Sequence, residues 1–298
     1  MDESSLSYRL LAILFPIFGI VAAGYFYGRK HKPEMAVANR LNMDVFVPAL
    51  VFAAMAGKSF DLVAYTPLAL GGFLVLATCG LLAWPLARLC GVQPKTLVPP
   101  MLFNNSGNIG LPLAVLAWGE QALPAAVILF MVENTLHFSF GARLLDPSTR
   151  LLTLWRIPVV FAAIAGLTVA LVKLPIWGPA LIAIKMLGDV SVPLLLFSLG
   201  VRMTDVSFGE WKLAVGSAVL RPVAGMGIAW VVIQLLGLEG RDAAMLFVFG
   251  AFPPAVLNFL FAERYRQEPQ RVASIVLIGN LAALVFLPLA LGLVLTRP

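Results

Sequence analysis

The sequence predicts an all-α polytopic membrane protein, with ten transmembrane helices in two inverted five-helix repeats. Three observations carry this. Of 298 residues, 60% are hydrophobic and only 12% charged, with a mean hydropathy of +0.94. A soluble domain carries about 25% charged residues, so this chain lacks the polar surface that water requires. Its apolar residues fall into ten segments near the ~20 residues that a helix needs to cross the hydrocarbon. Finally, one nine-residue peptide recurs at an offset of about half the chain.

The segments run 9–28, 37–56, 64–88, 96–118, 121–144, 157–173, 178–200, 211–237, 242–262 and 272–295. Connections are short, and no extramembrane domain is expected. The longest, 146–156, carries Arg150 and Arg156 and has room for a surface helix. It divides a first repeat, 1–145, from a second, 157–298. The amino terminus lacks the basic region of a cleavable signal peptide. Cys79 and Cys90 share one predicted span and lie too far apart along it to bridge.

Loop charge sets the orientation. Odd-numbered connections and their flanks hold 14 basic residues, among them Arg29, Lys30, Lys32, Arg264, Arg266 and Arg271. The opposite side holds 5: Arg9, Lys58, Lys173, Arg241 and Arg297. Basic loops stay cytoplasmic, so both termini are expected outside an inner (plasma) membrane. The net charge of +6 reports topology, and no nucleic-acid partner is expected.

Asp44-Val45-Phe46-Val47-Pro48-Ala49-Leu50-Val51-Phe52 in span 2 matches Asp189-Val190-Ser191-Val192-Pro193-Leu194-Leu195-Leu196-Phe197 in span 7 at six of nine positions, 145 residues on. Five spans per half is an odd number, so the second copy enters the membrane upside down, as in many secondary transporters.

Span 4 is interrupted by Asn104-Asn105-Ser106-Gly107-Asn108-Ile109-Gly110-Leu111-Pro112, a polar, glycine-rich run between apolar flanks. Lipid offers backbone groups no water, so a broken helix is tolerated only against protein or a wet cavity. Buried amides also need partners. Span 9 should break in the same way at Pro253-Pro254, which removes two backbone donors, with Asn258 just beyond. A helix interrupted at mid-depth exposes free N–H groups and a partial positive charge at the start of its second half. Two such ends converging make an anion site without a fixed cation. Asn104, Asn105 and Asn108 can donate amide hydrogens to a carboxylate, and Gly107 and Gly110 let backbone approach it. The blander reading of Asn258 is an interhelical hydrogen bond.

Span 5 carries Glu133, Asn134 and His137. Glu133 and His137 are four apart and share a helix face. Ionisable residues in a span point to function, here to uptake of a coupling proton, with sodium the less favoured ion. The competing reading is that they pair with each other or with Arg221 and hold helices together. Arg221, mid-way along span 8, needs a counter-charge or water. Glu133, Asp44, Asp189 or the substrate could answer it. Asp44 and Asp189 read as solvent-exposed or capping residues, and Lys185 can snorkel to the interface. Trp84, Trp118, Trp155, Trp177 and Trp211, near span ends, read as interface anchors.

On these residues the chain resembles the auxin efflux carrier family, above all its bacterial organic-acid members such as malonate carriers. The span-4 run through Gly110-Leu111-Pro112-Leu113, the Phe197-Ser198-Leu199-Gly200 end of span 7, Arg221, and Pro253 through Tyr265 carry the likeness. It implies scaffold and transport domains each drawn from both repeats, with broken helices 4 and 9 crossing at an organic carboxylate. Asn105 matches the crossover asparagine of the plant carriers. Asn104 and Asn258 stand where those carriers have proline, and Pro254 stands where they have glutamine.

The expected function is therefore secondary active transport of small organic anions by alternating access. The expected partners are the anion, the coupling ion and the bilayer, with a homodimer as a compatible assembly and no cofactor. The alternatives are a membrane-embedded hydrolase using Glu133 and His137, or a passive channel. A metal site would need several convergent ligands, and the only other histidine, His31, sits in a loop. No nucleophile elbow or nucleotide motif appears.

Overall fold

The computed structural model describes residues 5–56, 63–148, 157–204 and 211–295. The first four predicted spans appear as α1 (Leu6–His31), α2 (Ala36–Met55), α3 (Thr66–Leu89) and a split pair, α4 (Pro94–Leu102) and α5 (Ser106–Trp118). Then follow α6 (Glu120–Leu145), α7 (Pro158–Val172), α8 (Gly178–Arg202) and α9 (Trp211–Leu236). A second split pair, α10 (Gly240–Ala251) and α11 (Leu257–Arg264), precedes α12 (Pro269–Leu295). The ends obey ordinary capping chemistry. Ser5 Oγ accepts from Tyr8 N at 3.3 Å to open α1, and Arg29, Lys30 and His31 complement the negative end of its dipole.

Seven helices, α1, α2, α3, α6, α8, α9 and α12, are long and apolar enough to cross a membrane. Three predicted spans fall short for two reasons. Spans 4 and 9 are interrupted by extended backbone. Span 6 yields the 15 residues of α7, which at 1.5 Å per residue reach about 22 Å against a ~30 Å hydrocarbon core. The surface helix expected within 146–156 and the anchor Trp155 lie outside the described residues, apart from a turn at Asp146.

The helices pack in two groups. α1, α2, α7 and α8 contact one another, and α3, α4, α6, α9, α10 and α12 form the other set. The two groups meet where α1 and α8 touch α5, where α1 touches α12 and where α2 touches α6. Within the first group, Ser198 Oγ donates to Asn39 Oδ1 at 2.6 Å, Asn42 Nδ2 to Ser191 O at 3.4 Å, and Gly188 abuts Leu50. As numbers rise along α2 they fall along α8, so the helices are antiparallel. The two copies of the repeated peptide therefore run in opposite directions. By the same reading α1 and α8 are parallel, because Gly24 abuts Phe197 and Gly28 abuts Val201.

Candidate functional site: the paired breaks of two helices

Both interruptions have local causes. Proline pushes the residue before it into extended backbone, and Phe252, preceding Pro253, has φ −61° and ψ 141°. Span 4 breaks without a proline at the gap. Its Asn side chains compete with the helix for backbone partners, Asn104 Nδ2 donating to Phe249 O at 2.9 Å. Phe103 is extended, with φ −89° and ψ 117°.

The two extended segments pair with each other. Asn105 N donates to Pro253 O at 2.8 Å and Ala255 N to Phe103 O at 3.0 Å, an antiparallel bridge between Asn104 and Pro254. The prolines lack donors, so the pairing uses the Asn105 and Ala255 N–H groups. Each segment leads into a helix start, α5 after Asn105 and α11 after Val256. The first turn of α5 is widened, with Ile109 N and Gly110 N both donating to Asn105 O. Pro112 enforces this, because it has no N–H for the carbonyl of Asn108.

Side chains then close the crossing. Asn105 Nδ2 donates to Asn280 Oδ1 at 2.9 Å, and Asn280 Nδ2 donates to Pro254 O and Val276 O. Asn258 Nδ2 donates to Phe103 O at 3.1 Å and Ala255 O at 3.0 Å. Asn104, Asn105, Ser106, Pro253, Pro254 and Asn258 are thus all buried at one place. Among the described residues the amide oxygens of Asn104 and Asn258 have no hydrogen-bond partner. Asn108 is half-buried one turn into α5, and buried Pro112 faces a separate cavity along that helix. Gly107 and Gly110 admit aromatic rings: an added Cβ would meet Phe130 at 3.0 Å and Phe252 at 2.7 Å, respectively.

Glu133 and His137 lie beside this crossing. His137 Nδ1 and Glu133 Oε1 are 2.9 Å apart, and Ser106 Oγ donates to Glu133 Oε2 at 3.4 Å. Both are buried, with Asn134, and His137 Nε2 has no partner among the described residues. The imidazole sits between Phe103 and Phe261, at a widened turn of α6. Arg221 is 0% exposed and donates through Nη1 to Gly250 O at 2.6 Å, at the negative end of α10. Among the described residues its Nε and Nη2 have no partner. Among the described residues it makes no ion pair with Glu133, and Asp44 and Asp189 are exposed elsewhere. Lys185 pairs with Glu120 at 3.0 Å, and Cys79 and Cys90 are free thiols.

Asn280 completes the cluster, and the sequence reading did not single it out. The signal was present: it is an amide inside the apolar run Val276-Leu277-Ile278-Gly279-Asn280-Leu281.

Residues 147–291 match a family model described as membrane transport protein. The match spans just under half of the chain. An uncharacterized transporter of Methanocaldococcus jannaschii is 20% identical over 91% of this chain and 94% of its own length. Auxin efflux carrier component 1 of Arabidopsis thaliana is 31% identical, but over 43% of this chain and 22% of that protein. A Rhizobium meliloti protein, provisionally named a malonate transporter, is 22% identical over 92% of both chains. The similarity to membrane transport proteins joins the seven long apolar helices in indicating an integral membrane protein.

Proposed function

We propose that this protein is a secondary transporter moving small organic anions, carboxylates such as malonate, across an inner membrane by alternating access. The observation that carries the reading is the antiparallel pairing of 103–105 with 253–255, which sets two helix starts and a cluster of amides side by side. Free N–H groups and dipole ends favour an anion there, and without a bound counter-cation the anion can leave again. The malonate assignment draws on the name of the Rhizobium meliloti relative. Two inverted repeats, 1–145 and 157–298, are supported by the opposed directions of the matching peptides in α2 and α8. Orientation with both termini outside rests on loop charge.

Glu133 and His137 are the proposed proton site. They are buried, joined to each other, and linked through Ser106 to the start of α5. A proton bound there changes the charge beside the crossing, so it can alter which conformation is favoured. Sodium is the runner-up ion.

The test is accumulation of radiolabelled malonate in proteoliposomes under an imposed pH gradient, with a sodium gradient as the second arm. Uptake above the external concentration that collapses with a protonophore supports the reading. Equilibration without accumulation would make the protein a channel. Dependence on sodium alone would remove the proton role of Glu133 and His137.

A further inference from the structure

Two cavities lie end to end along the seam of the parallel helices α1 and α8. The first, of about 610 Å³, is lined by Pro16 and Ile20 of α1, Lys185 and Val192 of α8, and Pro112 of α5. The second, of about 500 Å³, is lined by Val21 and Tyr25 of α1, Leu199 of α8 with Met203 and Thr204 just past its end, and Asn280 of α12. Along both helices the lining passes from the first cavity to the second in chain order, so the cavities lie toward opposite ends of these two helices.

Ile17 lines both cavities and is nonetheless 0% exposed. The other helices change cavity at the same level. On α8, Leu196 faces the first and Leu199 the second, and on α5, Pro112 faces the first and Ile109 the second. All are buried, and none of these five side chains carries a polar atom. Ions and water are excluded from such an apolar constriction, because entry strips hydration that the walls cannot replace. Pro16 removes a hydrogen bond from α1 beside the constriction, which gives that helix a point at which to bend.

We propose that Ile17, with the α5 turn Ile109 to Pro112 and the α8 turn Leu196 to Leu199, is the seal that keeps the two cavities apart. It rests on the transporter reading and assigns that reading its physical barrier. The amide cluster at the crossing reaches the second cavity through Asn280, so in this conformation the site lies on the Val21 side of the seal.

The test uses the full chain in sealed right-side-out and inside-out vesicles, with Cys79→Ser and Cys90→Ser as background. Val21→Cys and Val192→Cys, each retaining Ile17, are probed with a membrane-impermeant maleimide. Each should be labelled from one face only, and the two from opposite faces. Labelling of both from one face, of either from both faces, or of neither overturns the seal. Adding Ile17→Ala to the Val192→Cys chain should raise its labelling from the far face roughly tenfold, and no rise also overturns it. Should Ile17→Ala fail to fold, the two single-cysteine chains still decide. Labelling requires no transport, so an intact pattern without malonate accumulation would sink the transporter reading and leave the seal standing.

Discussion

The imidazole of His137 lies flat against the ring of Phe103, centroids 4.1 Å apart and planes 10° from parallel. Phe103 is where α4 ends, and its carbonyl accepts from both Ala255 N and Asn258 Nδ2. The stack therefore connects Glu133 and His137 to both extended segments at once, while Ser106 connects Glu133 to α5. A change of charge on this pair acts where the two broken helices meet.

Glu133→Gln keeps the size and one hydrogen-bonding oxygen of the side chain but cannot exchange a proton. We expect the variant to fold, because a neutral amide is easier to bury than a carboxylate. Its malonate uptake should lose its dependence on external pH and fall at least tenfold under a pH gradient, equivalent to about 1.4 kcal/mol or more. Uptake with the parental pH profile would leave the pair a purely packing role.

Asn280→Ala removes the acceptor for Asn105 Nδ2 and the donor to Pro254 O and Val276 O in one step. Buried groups left unpaired cost about 1–3 kcal/mol each, so a lowered apparent melting temperature is expected. Asn280→Asp keeps an acceptor for Asn105 but buries a carboxylate against the carbonyls of Pro254 and Val276, and it should not restore stability above Asn280→Ala. The decisive readout is the thermal shift produced by malonate, which should shrink in Asn280→Ala because Asn105 is no longer held in place. An undiminished shift would show that Asn105 does not depend on Asn280.

Much of this arrangement was legible in the chain. The Pro253-Pro254 pair announced the second break because proline chemistry acts locally, on Phe252 and the turn before it. The polar run at 104–108 announced the first, since buried amides in lipid demand an explanation. The partners of those amides were not legible. Asn104 reaches Phe249 and Asn105 reaches Asn280 across 145 and 175 residues, and periodicity carries no information at that range. Arg221 shows the same limit. Its position pointed to a missing counter-charge, and the partner found is a backbone carbonyl at the end of α10, which no composition reveals. Span 6 read as a crossing from its apolar content, although only 15 residues are helical there.

Gly225 and Gly250 face each other where α9 meets α10, and a Cβ on either would collide with the backbone carbonyl of the other. That close approach also puts Gly250 O within reach of Arg221, one turn before Gly225. Backbone cannot move aside as a side-chain end can. Gly250→Ala should therefore destabilise the fold by about 1–3 kcal/mol, at the cost usual for overpacking, and should displace Arg221. Gly227→Ala, where nothing lies within 4 Å of the added methyl, is the control and should be neutral or slightly stabilising through helix propensity. Equal melting temperatures for the two variants would show that α9 and α10 are not so closely joined.

Arg221 separates stability from function. A fully buried cation with one hydrogen bond among the described residues has surrendered its hydration for little return, so replacing it with an apolar side chain of similar length can be neutral or stabilising. Against that stands the carbonyl of Gly250, which loses its donor at a cost of about 1–3 kcal/mol. The two effects oppose each other, and Arg221→Met should change the melting temperature little. Arg221→Ala adds an unfilled cavity, worth about 2–5 kcal/mol when a long side chain is cut to Ala, and should be clearly less stable. Transport should not follow that order. If the guanidinium supplies positive potential near the crossing, both variants lose malonate uptake by at least tenfold, about 1.4 kcal/mol, although Met preserves the fold. Uptake that persists in Arg221→Met would reduce Arg221 to a cap on α10.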